Sequence, residues 1–281
     1  MAVGPPGIPD DLQPGALAPL LDGRMLRVYP ALLSTEADAQ AWARAGGPDG
    51  GLVIADYQAS PRGRSGLEWR VRAGVDLAFS VVVRPELTAD DEGWLYTVVT
   101  SALADVLGGD AVVHWPDEVH GERGRLGAVG VYAELGPGVV EWAIASVLLP
   151  DVGDLVRRQP AAAGRGRLLA LVLQAIDARR NQPRQEVLDD YRARCATLGQ
   201  DVRARLIPLG PGGPAIVGRA VDCAPDGALV LQTATGSRVA VRPQHLGVLE
   251  LADDRAVEPE EISALGSPRP PRATGGGPAP R

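Results

Sequence analysis

Two short stretches of this chain hold residue types able to do chemistry. Residues 58–66 read QASPRGRSG, with Arg62 and Arg64 on either side of Gly63. Two guanidinium forks separated by a glycine can grip an anion from two directions, and the glycine lets the backbone come close. Phosphate is the anion that best suits the planar fork. A solvated basic loop is the other reading of the same residues. The second stretch, His114-Trp115-Pro116-Asp117-Glu118, sets an imidazole beside two adjacent carboxylates. Such acids can hold Mg²⁺ that accompanies a nucleotide, and a plain polar loop is the alternative. One absence narrows the chemistry further: all 28 Lys+Arg of the 281 residues are arginine. Schiff bases, P-loop lysines and lysine general bases are therefore excluded.

The elements that must position these stretches are legible from pattern. Ser34-Thr35 precedes EADAQAWARAGG, where a hydroxyl cap, an acidic first turn and closing glycines frame a short helix. Leu52 to Ala55 reads as a strand feeding the arginine loop, and Leu77 to Val83 as a second strand ending at Arg84-Pro85. A helix is expected over Glu92 to Leu107, then a strand from Ala111. Ala128 to Leu135 and Val139 to Leu149 read as a hairpin pair. Helices follow over Leu168 to Arg179 and Arg184 to Cys195. Beyond them short alternating strands with turns at Asp226-Gly227 and Thr235-Gly236 suggest a small SH3-like barrel. Arg165-Gly166-Arg167 reads as a solvated helix start, Trp42, Trp94 and Trp142 as core, and His120 and His245 as surface or loop residues.

The expected organisation is an irregular segment over 1–22, an α+β domain over 23–194, a β module over 195–250, and a disordered Pro/Gly/Arg tail over 257–281. A formal charge of −7 offers no basic face for nucleic acid. Cys195 and Cys223 are too few for a disulfide framework or zinc site and read as buried thiols of a reducing compartment. No signal-peptide pattern or membrane-length apolar run is present, so a soluble, cytoplasmic protein without a membrane partner is expected.

Order and spacing together carry a family resemblance. STEAD, ADYQASPRGRSGLEW, VVHWPDEV, VGVYAEL and DYRARCATLGQDVRARL follow one another along the chain. They resemble the biotin–protein ligase family of the biotin/lipoate ligase superfamily, which runs STN, Q-x-x-GRGR-x-G-x-x-W, KWPND and K-L-x-G-I-x-x-E, then an SH3-like C-terminal domain. The resemblance spans about Leu33 to Leu249. It implies an α+β fold with a mixed sheet and flanking helices, followed by the small barrel. It also implies formation of biotinyl-5′-AMP from ATP and biotin, with Mg²⁺, and transfer of biotin to a lysine of a biotin carboxyl carrier domain. By position, Ser34, Thr35, Gln58 and Gly130 would bind biotin. Arg62, Gly63, Arg64, Trp69, Asp117 and Glu118 would bind the nucleotide, with Arg62 and Arg64 acting in catalysis and Asp117 and Glu118 holding the metal.

The departures fall on the adenylation chemistry. Glu36 stands for the asparagine of STN, Pro61 for the first glycine of GRGR, and HWPDE for KWPND. The lysine ahead of the biotin-pocket glycine falls on Gly127 in one register and on Arg125 in another. Arg125 is thus the candidate substitute, although its fork is bulkier than an ammonium. Ala143 to Val147 replaces the segment that carries the asparagine near the adenine. Three readings follow: a ligase with an altered site, a non-catalytic pseudo-ligase that binds biotin or a carrier domain, and a ligase for another small acid such as lipoate or octanoate.

Overall fold

The computed structural model describes residues 7–158, 164–209 and 213–252. The described residues up to Leu251 make one compact unit, and the expected tail 257–281 lies outside the described residues. Its centre is a mixed seven-stranded sheet of β1 (Leu26–Leu32), β2 (Leu52–Gln58), β3 (Leu77–Val83), β4 (Val112–His114), β5 (Glu118–Gly121), β6 (Gly124–Leu135) and β7 (Val140–Leu149), in the order β1-β2-β3-β7-β6-β5-β4. β1 and β2 are parallel, joined by a crossover through α2 (Thr35–Arg44); the other pairs are antiparallel. Residues 10–20, with α1 (Pro14–Leu17) among them, bury Leu12, Leu17 and nearby Leu21 in the main core. Residues 10–20 are therefore built into the core, and β1 carries no strand pattern in the sequence. Its Pro30 would be out of place in a central strand, but β1 is an edge.

Strand alternation sends Phe79, Val81, Ala143, Ala145, Val147 and Leu149 into the main core, shared with α3 (Trp94–Leu107), α5 (Arg165–Asn181) and α6 (Arg184–Arg194). A further short helix, α4 (Val152–Arg158), follows β7. The opposite face of the sheet carries two separate apolar clusters. One joins Trp42 of α2 to Val53, Val82, Trp142 and Ile144; the other joins Val71, Ala78 and Leu148, with Trp69 packed on them. Trp42, Trp94 and Trp142 are all buried, as expected.

The C-terminal strands β8 (Asp201–Leu206), β9 (Ala215–Cys223), β10 (Leu229–Gln232), β11 (Arg238–Val241) and β12 (Leu246–Leu251) form a five-stranded antiparallel sheet, ordered β11-β10-β9-β8-β12. Among the described residues β11 and β12 are its edges, so the strands of the expected SH3-like module pair as one antiparallel sheet with no pairing that closes it. Trp115 ties this sheet to the main body: its backbone N–H donates to Thr197 Oγ1 at 2.9 Å and its indole N–H to the Gly227 carbonyl at 2.9 Å. Arg165, expected to be solvated, is instead buried, donating to Asp11 (2.8 Å) and Asp56 (2.5 Å). A fork that meets two carboxylates can be buried where a single unpaired charge cannot.

Candidate functional site

Between the two apolar clusters on the α2 face runs a polar row. Ser80 on β3 is in register with Ser146 on β7, and Ser146 with Gly130 on β6, so the three point to one face side by side. Ser80 Oγ lies 2.8 Å from Ser146 Oγ and 2.9 Å from Thr35 Oγ1. Thr35 opens α2, held there because Ser34 Oγ caps the helix by accepting the Ala37 N–H at 3.4 Å. The Thr35 N–H donates to Gln58 Oε1 at 2.8 Å, and the Thr35 hydroxyl reaches the same oxygen at 3.2 Å. A backbone N–H can only donate, so Gln58 turns its oxygen to Thr35 and its amide N–H groups the other way.

The arginine loop closes over the far end of the row. A Cβ on Gly130 would lie 3.2 Å from Gly63 Cα and 3.4 Å from Arg64 N, so loop and strand are already in contact. Gly63 is needed on its other side too, because a Cβ there would run into the Trp69 indole. The turn is tight: Ser65 (φ 54°) and Gly66 (φ 74°) are both left-handed, and the Trp69 N–H returns to the Pro61 carbonyl at 3.0 Å. Any ring bound between Gly130 and Gly63 must first lift the loop.

Beside this lies a cleft of about 520 Å³ lined by Arg64, Leu67, His114, Asp117, Glu118 and residues of the C-terminal sheet. Its charges are committed within the chain. Arg64, only 5% exposed, donates through Nε to Asp117 at 3.0 Å and through Nη1 to the carbonyls of Leu246 and Gly247; Ser65 Oγ joins at Leu246 O, 2.9 Å. Burial lifts the Asp117 carboxyl to about 6, with the Arg64 guanidinium pulling it down and Glu118 pushing it up. Burial also acts to raise Glu118, but bonds from His120 (2.8 Å) and Arg125 (2.7 Å) outweigh it and hold the carboxyl below its ordinary value. His114 stacks on His120 at 4.1 Å; burial and the neighbouring imidazole hold it below the usual histidine range. Glu36 sits near Arg62 and is raised by burial. Arg62 is exposed, donating to Gly66 O at 3.4 Å.

Several sequence expectations need correcting here. Asp117 Oδ2 is bonded to Arg64, and the Glu118 oxygens to His120 and Arg125; among the described residues no metal-binding group of three or more His, Cys, Asp or Glu occurs. Arg125 points to Glu118 and to a separate depression with Arg123 and Asp151, not into the cleft. Gly127 faces the wrong way for a site lysine, since a Cβ there would be 2.7 Å from Leu103 and 2.9 Å from Leu149. Ser80 and Ser146 were missed, being single serines in apolar strands. Their signal was that both interrupt runs of Val, Ile and Leu on the same face.

Residues 197–242 match the family model of the biotin protein ligase C-terminal domain. The whole described fold is similar to the biotin protein ligase of Aquifex aeolicus solved with biotin and ATP (TM-score 0.61, 21% identity, 81% of this chain and 99% of that one). It is similar as well to a biotin protein ligase-like protein of unknown function from Silicibacter sp. (TM-score 0.59, 16% identity, 80% and 96% covered). The architecture is thus that of a biotin protein ligase. In sequence the chain is 32% identical over 237 residues to the biotin–[acetyl-CoA-carboxylase] ligase of Mycobacterium tuberculosis, covering 78% of this chain and 86% of the relative. The chain belongs to the biotin protein ligase family. Among the described residues no helix is long and apolar enough to cross a membrane.

Proposed function

We propose that this protein is a biotin–carrier protein ligase with an intact biotin floor and a slow adenylation step. The observation that carries the reading is the row Gln58, Thr35, Ser80, Ser146 and Gly130 beneath Gly63. It offers neutral hydrogen bonds and a flat glycine surface, which suit a compact bicyclic urea. Ser34 supports this floor as the cap of α2, and Trp69 covers it from the loop. In the reaction a biotin carboxylate oxygen attacks the α-phosphorus of ATP, the bond to the bridging oxygen of the β-phosphate breaks, and pyrophosphate leaves. The uncharged ε-amine of a carrier lysine then attacks the acyl carbon, AMP departs with the former carboxyl oxygen, and the surplus N–H proton passes to solvent. Negative charge grows on phosphate oxygens in the first step, where fixed cations matter most. Arg62 is the loop cation that faces solvent and is assigned this task.

A second reading, a pseudo-ligase that binds biotin or its carrier domain without adenylation, is favoured by one specific observation. Arg64 is spent on Asp117 and two backbone carbonyls, and the lysine position aims into the core. Removing one preorganised charged donor slows such chemistry by about 10²–10³. Biotin-dependent ATP–pyrophosphate exchange, with calorimetry for biotin and ATP, separates the readings. The proposal expects biotin heat and exchange roughly 10²–10³ below that of a lysine-bearing relative. Biotin heat with no exchange selects the pseudo-ligase, and no biotin heat overturns both.

A further inference from the structure

Thr35, Ser80 and Ser146 form a chain of three hydroxyls whose protons can run in two concerted senses, or converge on Ser80 and leave its own buried proton unmatched. In one, Ser146 donates to Ser80, Ser80 to Thr35, and Thr35 to Gln58 Oε1, which cannot donate in return. Every hydroxyl proton then has an acceptor. In the opposite sense the Ser146 proton faces no acceptor recorded among the described residues, although Ser146 is 3% exposed and Ser80 0%. A buried unmatched donor is unfavourable, so the first sense prevails. It leaves two groups defined at the Gln58 end of the row: a lone pair on Thr35 Oγ1, whose own proton is engaged, and the amide N–H groups of Gln58, whose oxygen is engaged.

We infer that Ser80 and Ser146 are positioning residues which set the donor–acceptor polarity of the biotin floor, so that Thr35 and Gln58 select a ligand edge presenting N–H next to C=O. The inference rests on the biotin reading above and deepens it. In this role each serine acts through the next hydroxyl, Ser146 on Ser80 and Ser80 on Thr35. Ser146 is the outer member and supplies the first proton, and Ser80 is the link without which Thr35 Oγ1 can turn its proton outward. A rotated Thr35 hydroxyl would accept an N–H less selectively and would tolerate a ligand edge that carries no N–H.

The test compares biotin with a biotin methylated on one ureido nitrogen, by calorimetry on the full-length chain. The wild type is expected to favour biotin strongly. Ser80→Ala should lower the ratio of the two affinities by about tenfold or more, a change equivalent to about 1.4 kcal/mol. Ser146→Ala, which leaves the Ser80–Thr35 bond in place, should lower it less. A purely structural role would weaken both ligands alike and leave the ratio unmoved, and that outcome overturns the inference. Equal effects of the two serines overturn the polarity argument as well. Should Ser80→Ala fail to fold, the Ser80→Ala/Ser146→Ala pair removes both ends of the internal bond and is read by the same ratio. If the wild type gives no biotin heat, the biotin reading falls and this inference with it. If it binds biotin and only the ratio is unmoved, the biotin reading stands alone.

Discussion

Asp117→Asn tests the charge inside the cleft. Burial lifts the Asp117 carboxyl to about 6 from an ordinary 3.8, even with Arg64 bonded to it. Because the folded state holds this proton more tightly than the unfolded chain, folded protein binds more protons between those two values. The group's favourable contribution is therefore complete below the unfolded value and is lost as pH rises through the folded one. A gap of about two units, at about 1.36 kcal/mol each, makes the ionised carboxylate destabilising by about 3 kcal/mol above neutrality. Asparagine keeps the shape and has no such proton to lose. The stability of the variant minus that of the wild type should thus climb by about 2–3 kcal/mol from about pH 4 to about pH 7.5. Urea unfolding at a series of pH values measures it, and taking the difference cancels the other titrating groups. An unchanged slope against urea would confirm that the same surface unfolds. A flat difference would refute the reasoning, because it would mean that Arg64 balances the buried carboxylate in full.

Gly127→Lys restores the family residue type but should not restore exchange. Its Cβ would collide with Leu103 and Leu149, so the variant should lose at least about 1–3 kcal/mol in denaturant unfolding while pyrophosphate exchange stays low. Gly130→Val forces a branched side chain against Gly63, so biotin affinity by calorimetry should fall about tenfold or more with the far-ultraviolet circular dichroism unchanged. Arg165→Ala strips the partner from Asp11 and Asp56 and should destabilise the fold by about 3–5 kcal/mol, read by thermal or urea unfolding. Trp115→Phe leaves the Gly227 carbonyl without its indole donor and should cost about 1–3 kcal/mol, with hydrogen exchange rising first around Gly227.

Much of the fold was legible because the strands flanking the site are strongly patterned. β3 and β7 are near-continuous apolar runs, and α3 opens after an acidic turn and ends at Gly108. β1 was not legible, because an edge strand containing Pro30 shows neither a full apolar run nor clean alternation. Arg165 was misread because local sequence does not reveal that Asp11 and Asp56, distant along the chain, converge on it. In the candidate site, the residue types of the arginine loop and of HWPDE were visible, but their pairings were not. Whether Arg64 faces a phosphate or Asp117 depends on the packing of β12 against the loop, which no local spacing encodes.

The two halves of the site respond differently to the loss of lysine. The biotin floor works through hydroxyls, one amide and a glycine, none of which depends on a mobile cation. It needs no lysine to function. Adenylation needs a compact charge beside the carboxylate and the α-phosphate, and arginine forks in this protein have found planar partners of their own instead. Arg64 takes Asp117 and two carbonyls, and Arg125 takes Glu118. A fork bonded along its plane is a structural strut, whereas an ammonium on a flexible stem can follow a migrating phosphate. On the reading proposed above, a chain without lysine keeps recognition of the acid and slows the step that activates it.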